Sequence, residues 1–299
     1  MSGYHVPVML KECIEGLNIQ PGGIYVDVTF GGGGHSKAIL EKIKNGKLIA
    51  FDQDIDATTN LIRDERFVFI NQNFKHVKRM LRVNGIGEVD GILADLGVSS
   101  FQIDTEARGF AHRLDGPLDM RMDKSASLTA EEVVNAYASS QLQRIFGEYG
   151  EVRNARTLAI HIAEARFTSR IDTIGKFITA IGPVIKGNKN RYLSQVFQAL
   201  RMEVNDELAV LQDFLEQSKQ LLKSGGRLVV LSYHSVEDRI VKNFMRYGNT
   251  SGEAVKDFFG KEEKHFLLIN KKPMEASEEE MKENPRSHSA RLRIAEKIL

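Results

Sequence analysis

The chain has 299 residues, 42% hydrophobic and 27% charged, with 41 Lys and Arg against 40 Asp and Glu. These values exclude the collagen-like, disordered and disulfide-rich classes of protein. Cys13 is the only cysteine, which leaves neither a disulfide nor a cysteine cluster for a metal. Because we also find no secretory signal and no apolar run of about 18 residues, we expect a cytoplasmic protein.

Short runs rich in Val, Ile and Phe alternate with helical periodicity, which is typical of a parallel sheet with crossover helices. Strands are predicted at residues 24–28, 48–52, 67–70, 91–95, 227–232, 266–270 and 291–295. The acidic stretch 273–285 contains two prolines and is predicted to be a solvated loop. The pattern predicts an α/β fold with a doubly wound, mostly parallel sheet.

The strand rhythm stops between residues 95 and 227. Apolar periodicity predicts helices there, at residues 129–138, 141–146, 154–166, 171–181 and, in one long run that stops before Gly225-Gly226, at about 194–222. We therefore predict a sheet domain made of residues 1–105 and 216–299, with a helical insertion domain at residues 106–215.

The insertion contains a basic window. Residues 151–201 include nine Lys and Arg but only three Asp and Glu, although the whole chain has a net charge of +1. Such a bias suits contact with phosphates, and the alternative is a solvated helical face.

The strongest local signal is four consecutive glycines, Gly31–Gly34, between the first strand and a helix predicted from Ser36. Glycine lets a ligand approach the backbone and permits positive φ, so we predict a nucleotide-type site beyond the carboxyl ends of the strands. Asp52 ends the second strand, where an acid accepts hydrogen bonds from ribose hydroxyls. The alternatives are a structural turn at the glycines and an N-cap role for Asp52.

Two ligands compete for this site, a dinucleotide and S-adenosylmethionine. The third glycine of the dinucleotide fingerprint is replaced by Ser36. Asp27, inside the first strand, suits the methionine ammonium and would repel a pyrophosphate. Phe74 follows the third strand and could cover adenine, or pack in the core. Asp95 ends the fourth strand and is predicted to face the methionine moiety or the amine that accepts the methyl group.

Seven motifs follow one another along the chain: HVPVML (5–10), TFGGGGHS (29–36), DLGVSS (95–100), RGF (108–110), DMRMD (119–123), SYHSVEDR (232–239) and NPR (284–286). In this order they resemble the MraW family, also named RsmH, of bacterial 16S ribosomal RNA cytosine-N4 methyltransferases. The resemblance implies a class I, Rossmann-like methyltransferase fold, S-adenosylmethionine as donor, and a cytidine N4 in the decoding region of 16S rRNA as acceptor, on the assembled small subunit. It also implies that the insertion helps to recognise the substrate.

By resemblance, the donor-binding positions are Gly33, Gly34, His35, Asp52, Phe74, Asp95 and Gln102. No metal-ligand spacing is evident, and we expect no metal.

Transfer to the poorly nucleophilic N4 needs a hydrogen-bond acceptor for its N–H. Candidates are Asp95, the carbonyls just after it and residues 232–239. Within that segment His234 is a candidate proton acceptor, with Glu237 or Asp238 holding its tautomer. The alternative is a structural His234, with Asp238-Arg239 forming an ion pair or a helix N-terminus. Aromatic candidates for stacking the target base are Tyr233, Phe101 and Phe110. We also expect phosphate contacts from the basic window, especially residues 186–192, with additions from Arg108, Arg113, Arg121 and Arg153.

Two other functions stay open from the residues alone. An NAD-dependent oxidoreductase would share the glycine turn and Asp52, and a non-catalytic RNA-binding protein would use the basic insertion. Apolar positions in the insertion could also support a homodimer.

Overall fold

The computed structural model describes residues 7–256, 258, 260 and 262–298; His5 and Val6 of the first motif lie outside them. The chain divides into two compact units. The sheet unit comprises Met1–Gly97 and Leu208–Leu299, and the helical unit comprises Val98–Glu207. The helical unit begins and ends eight residues before the predicted insertion, 106–215.

The sheet unit is built on seven strands: β1 (Ile24–Asp27), β2 (Lys47–Phe51), β3 (Phe67–Ile70), β4 (Val89–Asp95), β5 (Leu222–Ser232), β6 (Phe266–Leu268) and β7 (Arg291–Lys297). Their order in the sheet is β3-β2-β1-β4-β5-β7-β6. Strands β1 to β5 are parallel, and β7 runs antiparallel to both of its neighbours. The predicted doubly wound, mostly parallel sheet is confirmed.

Helices of the sheet unit are α1 (Leu10–Leu17), α2 (Gly34–Lys42), α3 (Val77–Val83), α10 (Glu207–Leu221, of which the first residue belongs to the helical unit), α11 (Ser235–Tyr247) and α12 (Glu278–Glu283). The central strands have almost fully buried side chains, because helices cover both faces of such a sheet. This explains why the strands are nearly continuous apolar runs. The carboxyl ends of β1, β2 and β4 meet at one edge of the sheet, where the glycine loop begins.

The prediction of a loop at residues 273–285 was wrong in part, because α12 lies within it. Ser277 caps this helix by accepting a hydrogen bond from the Glu280 N–H. Glu280 in turn accepts a 2.7 Å hydrogen bond from the Met9 N–H. The acidic run is therefore a capped helix that holds the N-terminal segment rather than a solvated loop.

The helical unit contains α4 (Ser100–Asp104), α5 (Ala130–Ala136), α6 (Ser139–Glu148), α7 (Ala155–Thr168), α8 (Ile174–Ile181) and α9 (Lys189–Val204). It has its own apolar core, to which α5 to α9 contribute fully buried residues such as Val133, Phe146, Leu158, Phe177 and Leu200. Within the described chain, each helix is too short or too polar to cross a bilayer.

The single helix predicted over residues 194–222 was wrong. It is two helices, α9 and α10, separated by Asn205 and Asp206. Asp206 has φ 50°, in the left-handed region, which ends a right-handed helix. The apolar residues of α10, including Phe214 and Leu215, belong to the core of the sheet unit. Apolar spacing alone did not reveal the break, which moves the boundary of the helical unit.

The Gly225-Gly226 pair was also misplaced. It lies inside β5 rather than ending a helix, and Gly225 has φ 80°. The pairing of β4 with β5 is irregular at this point, between Val89 and Gly91. The two glycines thus accommodate an irregular start to the strand.

Candidate functional site

The glycine loop after β1 forms a tight turn that begins α2. Gly31 and Gly33 have φ of 49° and 73°, a region that L residues rarely adopt, and Gly33 is the N-cap of α2. The Gly33 N–H donates a 2.7 Å hydrogen bond to the Phe30 carbonyl. Because this turn ends at Gly33, α2 begins at Gly34, two residues before the start predicted at Ser36.

The four glycines serve different purposes. A Cβ on Gly34 would lie 2.2 Å from Cγ of Pro7, so glycine at this position is required by packing of the N-terminal segment. A Cβ on Gly32 would meet nothing within 4 Å. Gly32 thus leaves open space beside the backbone of the loop.

Asp52 lies just after β2 and ties this strand to the glycine loop. Its Oδ2 accepts a 2.7 Å hydrogen bond from the Gly31 N–H, and its Oδ1 accepts one of 2.9 Å from the Asp54 N–H. Burial raises the pKa of Asp52 to about 6 despite these donors. Each oxygen has a further lone pair, so Asp52 still offers acceptors for ribose hydroxyls.

Asp95 ends β4 on the other side of β1. Its N–H donates to Thr29 Oγ1 at 2.7 Å, which ties β4 to the glycine loop as Asp52 ties β2. Its Oδ1 accepts a 2.6 Å hydrogen bond from the Tyr233 hydroxyl. Burial raises the pKa of Asp95 to about 7, and the charge of Glu237 contributes to the rise. Thr29 lies within the motif at residues 29–36, but no role was predicted for it.

His35 contacts the N-terminal segment. Its Nε2 lies 3.2 Å from the Val8 carbonyl oxygen, and because a carbonyl only accepts, Nε2 carries the proton. Its Nδ1 lies 3.8 Å from Asp95 Oδ2. Burial lowers the pKa of His35, which keeps the ring neutral.

Asp27 is 1% exposed, so its carboxylate is closed off from solvent inside the loop. Its Oδ2 accepts a 2.6 Å hydrogen bond from the Ser36 hydroxyl, and its Oδ1 accepts from the Thr29 N–H at 3.1 Å. Burial raises its pKa. Asp27 shapes the turn from inside, so the carboxylates at the strand ends that remain available to a ligand are Asp52 and Asp95.

Phe74 is half-buried, with its ring edge-on to Phe214 of α10 at 5.3 Å between centroids. The amide of Asn71 donates to the Asp52 carbonyl at 2.8 Å. These contacts keep the loop after β3 close to the end of β2. These contacts do not test whether Phe74 covers adenine, so that role of Phe74 stays a prediction.

His234 caps α11, which supports its structural alternative. Its Nδ1 accepts a long, 3.4 Å hydrogen bond from the Glu237 N–H, and its Nε2 lies 2.9 Å from Glu237 Oε1. Asp238 lies in the first turn of α11 and is paired with Arg293 by two hydrogen bonds of 2.6 and 2.9 Å, so of the two alternatives for Asp238-Arg239 the structure has the helix N-terminus. Of the two acids predicted to hold the His234 tautomer, Glu237 is the one in contact.

Gln102 belongs to the helical unit. It is 4% exposed and closes a capping box at the start of α4, where Ser99 N donates to its Oε1 at 3.0 Å. Of the stacking candidates in the same unit, Phe110 is buried in the core and Phe101 is 53% exposed. Phe101 is the one of the two with a free face.

The predicted basic surface is smaller than expected. Arg108 is 5% exposed and donates to the Arg121 and Met122 carbonyls, and Arg121 is paired with Asp119 at 2.7 Å. Arg113 is exposed but contacts Asp104 at 2.5 Å. Of these four arginines, Arg153 is exposed and has no ion-pair partner among the described residues.

The expected S-adenosylmethionine fits these residues on two observations. Gly32 leaves open space beside the backbone, and carboxylates stand at the ends of β2 and β4 on either side of the loop. The strand order reverses between β1 and β4, and ligands of doubly wound folds bind beyond the carboxyl ends of the strands at such a switch point.

Comparisons with known proteins identify the family of the chain. Proteins named ribosomal RNA small subunit methyltransferase H are 54% identical in Flavobacterium psychrophilum, over 97% of this chain and 100% of that one, and 52% identical in Cytophaga hutchinsonii, over 98% and 99%. A solved rRNA methylase from Streptococcus thermophilus is 12% identical with a TM-score of 0.41, over 97% of this chain and 94% of that one. The model of the MraW methylase family matches residues 2–298. This chain belongs to the MraW methylase family.

Proposed function

We propose that the protein transfers a methyl group from S-adenosylmethionine to N4 of a cytidine in the decoding region of 16S ribosomal RNA, on the assembled small subunit. The observation that carries the proposal is the open space at Gly32 between two tethered strand-end carboxylates, Asp52 and Asp95. The oxidoreductase alternative was wrong, because the chain belongs to a family of methylases.

We assign the donor-binding roles by chemistry. Asp52 keeps lone pairs for two ribose hydroxyls, and Asp95 offers a carboxylate to the cationic methionine end of the donor. The loop at Gly33, Gly34 and His35 supplies the backbone that the donor lies against. The contacts of Phe74 and Gln102 with the donor stay predictions.

S-adenosylmethionine, when bound, supplies an electrophilic methyl group on a sulfonium. The chain's task is to align the two reactants and to accept hydrogen bonds from the N4 amine. Both ring nitrogens of His234 face Glu237, so we propose that His234 shapes the start of α11 and is not the proton acceptor. The carbonyls just after Asp95 are the acceptors we favour.

The RNA is proposed to contact a basic patch on the helical unit. Four of the nine basic residues in the window are committed to partners within the unit: Arg166, Arg170, Lys176 and Arg201. The other five are at least partly exposed and have no ion-pair partner in the described chain: Arg153, Arg156, Lys186, Lys189 and Arg191. The Asn154 amide donates to the Val184 carbonyl at 2.9 Å, which brings the start of α7 close to the segment before α9. We therefore propose that the five cations form one patch that suits phosphates.

We further propose a cytoplasmic location, where a ribosomal substrate is found, and self-association through α7. Ile160 and Phe167 are 43% and 87% exposed and lie seven residues apart on this helix, hence on one face. Light scattering across a concentration series tests this, since a monomer at every concentration contradicts it.

One experiment tests the function. The protein and donor labelled in the methyl group are incubated with free 16S rRNA, small subunits and 70S particles, and the modified nucleoside is mapped by mass spectrometry. We expect labelled N4-methylcytidine from small subunits. Label on another atom overturns the proposed acceptor, and no label in any arm overturns the proposed activity. Label on free RNA alone overturns the proposed preference for the assembled subunit.

A further inference from the structure

The hydroxyl of Tyr233 makes a defined contact that stacking does not explain. Tyr233 follows β5, and its hydroxyl donates a 2.6 Å hydrogen bond to Asp95 Oδ1, although 138 residues separate the two in sequence. The neighbouring Oδ2 faces Nδ1 of His35 at 3.8 Å. Tyr233 is thus the hydrogen-bond donor that orients the Asp95 carboxylate.

The ring of Tyr233 is held as firmly as its hydroxyl. The ring packs against the apolar cluster that contains Cys13, Leu93 and Leu231, and the Tyr233 N–H lies 3.3 Å from Glu237 Oε2. A Cβ on Gly97 would be 3.7 Å from Cδ2 of the ring. A ring that is held by packing along its length is better suited to fixing the position of its hydroxyl than to stacking on a base.

We propose that Tyr233 is a positioning residue that acts through Asp95, by holding its carboxylate ionised and oriented for the cationic methionine end of the donor. The inference rests on the proposed function and deepens it. A hydroxyl donor stabilises the carboxylate form of an acid, and burial opposes that form. Tyr233 therefore offsets part of the effect of burial on Asp95.

Several titratable groups surround Asp95 on the elements packed against it. They are Cys13 of α1, Asp27 of β1, His35 of α2, Tyr233 after β5 and Glu237 of α11. His35 is neutral and Cys13 is protonated, because burial lowers the pKa of the first and raises that of the second. The charges of Asp27 and Glu237 disfavour an ionised Asp95, so among the described groups around it the Tyr233 hydroxyl is the one that favours the ionised form.

The test is a calorimetric titration of the purified protein with S-adenosylhomocysteine, which carries the same ammonium, between pH 6 and 8.5. The wild type is expected to bind more weakly as the pH falls below about 7. Tyr233→Phe is expected to bind about 10-fold more weakly at pH 7, with the pH dependence moved to higher pH. Tyr247→Phe, which removes the same hydroxyl from the last residue of α11, is the matched control and is expected to bind like the wild type.

A double variant separates action through Asp95 from a general loss of structure. In the Asp95→Asn background, Tyr233→Phe is expected to add less than 2-fold, because the charge that it supports is gone. Equal affinity of Tyr233→Phe and wild type at every pH overturns the inference, as does a full additive effect in the double variant. If the wild type itself fails to bind, the proposed function fails instead.

Discussion

The backbone N–H of Gly31 donates a 2.7 Å hydrogen bond to the carboxylate of Asp52, which joins the glycine loop to the end of β2. The carboxylate oxygens that we propose bind ribose therefore also hold the loop. The Asp54 N–H occupies its other oxygen at 2.9 Å. This arrangement fixes the acid in place before any ligand arrives, which reduces the entropy cost of binding.

Asp52→Asn is expected to weaken S-adenosylhomocysteine binding at least 10-fold. The new NH₂ group would face one of the two backbone N–H donors, which loses one hydrogen bond and one ribose acceptor. Calorimetry gives the affinity, and Glu65→Gln, on the exposed surface, removes the same charge as a control. If the Asp52→Asn variant binds like the wild type, the carboxylate is not part of the site.

Gly32→Ala is expected to lower ligand affinity but not stability, whereas Gly34→Ala is expected to lower stability. Alanine at 34 places its Cβ 2.2 Å from Pro7 Cγ, so we expect a lower melting temperature. Alanine at 32 meets no protein atom within 4 Å, so the melting temperature should stay within about 2 °C while ligand affinity falls. Calorimetry and thermal unfolding measure the two properties. Unchanged affinity in Gly32→Ala would place the ligand elsewhere.

Asp95→Asn is expected to stabilise the ligand-free protein at pH 8. Burial raises the pKa of Asp95 from 3.8 to about 7, so the folded protein keeps a proton that the unfolded chain releases between about pH 4 and 7. Stability from this group is therefore lost as the pH rises through that window. The variant should gain about 2 kcal/mol at pH 8 and almost nothing at pH 4.

Urea unfolding at the two pH values measures this gain. Asp213→Asn, an exposed acid on α10, serves as the control and should change stability by less than about 0.5 kcal/mol. The same gain at both pH values, or a loss at pH 8, contradicts a raised pKa.

The basic patch makes a prediction about salt. Replacing Lys186, Lys189 and Arg191 by alanine should weaken binding to 16S rRNA and reduce the slope of log affinity against log salt by about 2, as three lost phosphate contacts require. Arg170→Ala with Lys176→Ala removes charges that are already paired, and it should change the slope much less. Fluorescence anisotropy at salt concentrations between about 50 and 200 mM gives both slopes. An unchanged slope in the triple variant argues against the patch.

The buried Asp238–Arg293 pair should matter for stability. Both side chains are about a tenth exposed or less, and removing one partner strands the other charge. Asp238→Ala is therefore expected to cost about 3–5 kcal/mol, whereas Arg239→Ala, at an exposed position, should cost less than about 0.5 kcal/mol. Chemical denaturation distinguishes the two. Similarly small losses of stability in the two variants would show that the Asp238–Arg293 pair is not important for stability.

Much of the fold was predictable from local pattern. Strands buried on both faces must be short apolar runs, and β1 to β4 therefore appeared with boundaries within about two residues. The grouping of the candidate residues was predictable for the same reason, because glycines and acids that follow such strands share one edge of a parallel sheet. Asp52 and Asp95 were identified in this way.

The misplaced features depended on contacts distant in sequence. Periodicity did not show that Asp206 adopts a left-handed φ, nor that α12 holds Met9 through Glu280. Arg108 counted as surface charge until its burial against two carbonyls was visible. A charge count cannot separate a paired or buried cation from a free one.

Sequence by itself determined the class of fold, the family and the residues at the ends of the strands, because these follow from short-range hydrophobicity, backbone permissiveness at glycine and ordered motifs. Only the tertiary structure decided which of those side chains are taken up by contacts within the protein. Asp27 and His234 are held by neighbours within the protein, whereas Asp95 is presented by a tyrosine 138 residues away. A hydrogen bond forms between atoms that the fold brings to about 3 Å, and no distance along the chain encodes that meeting.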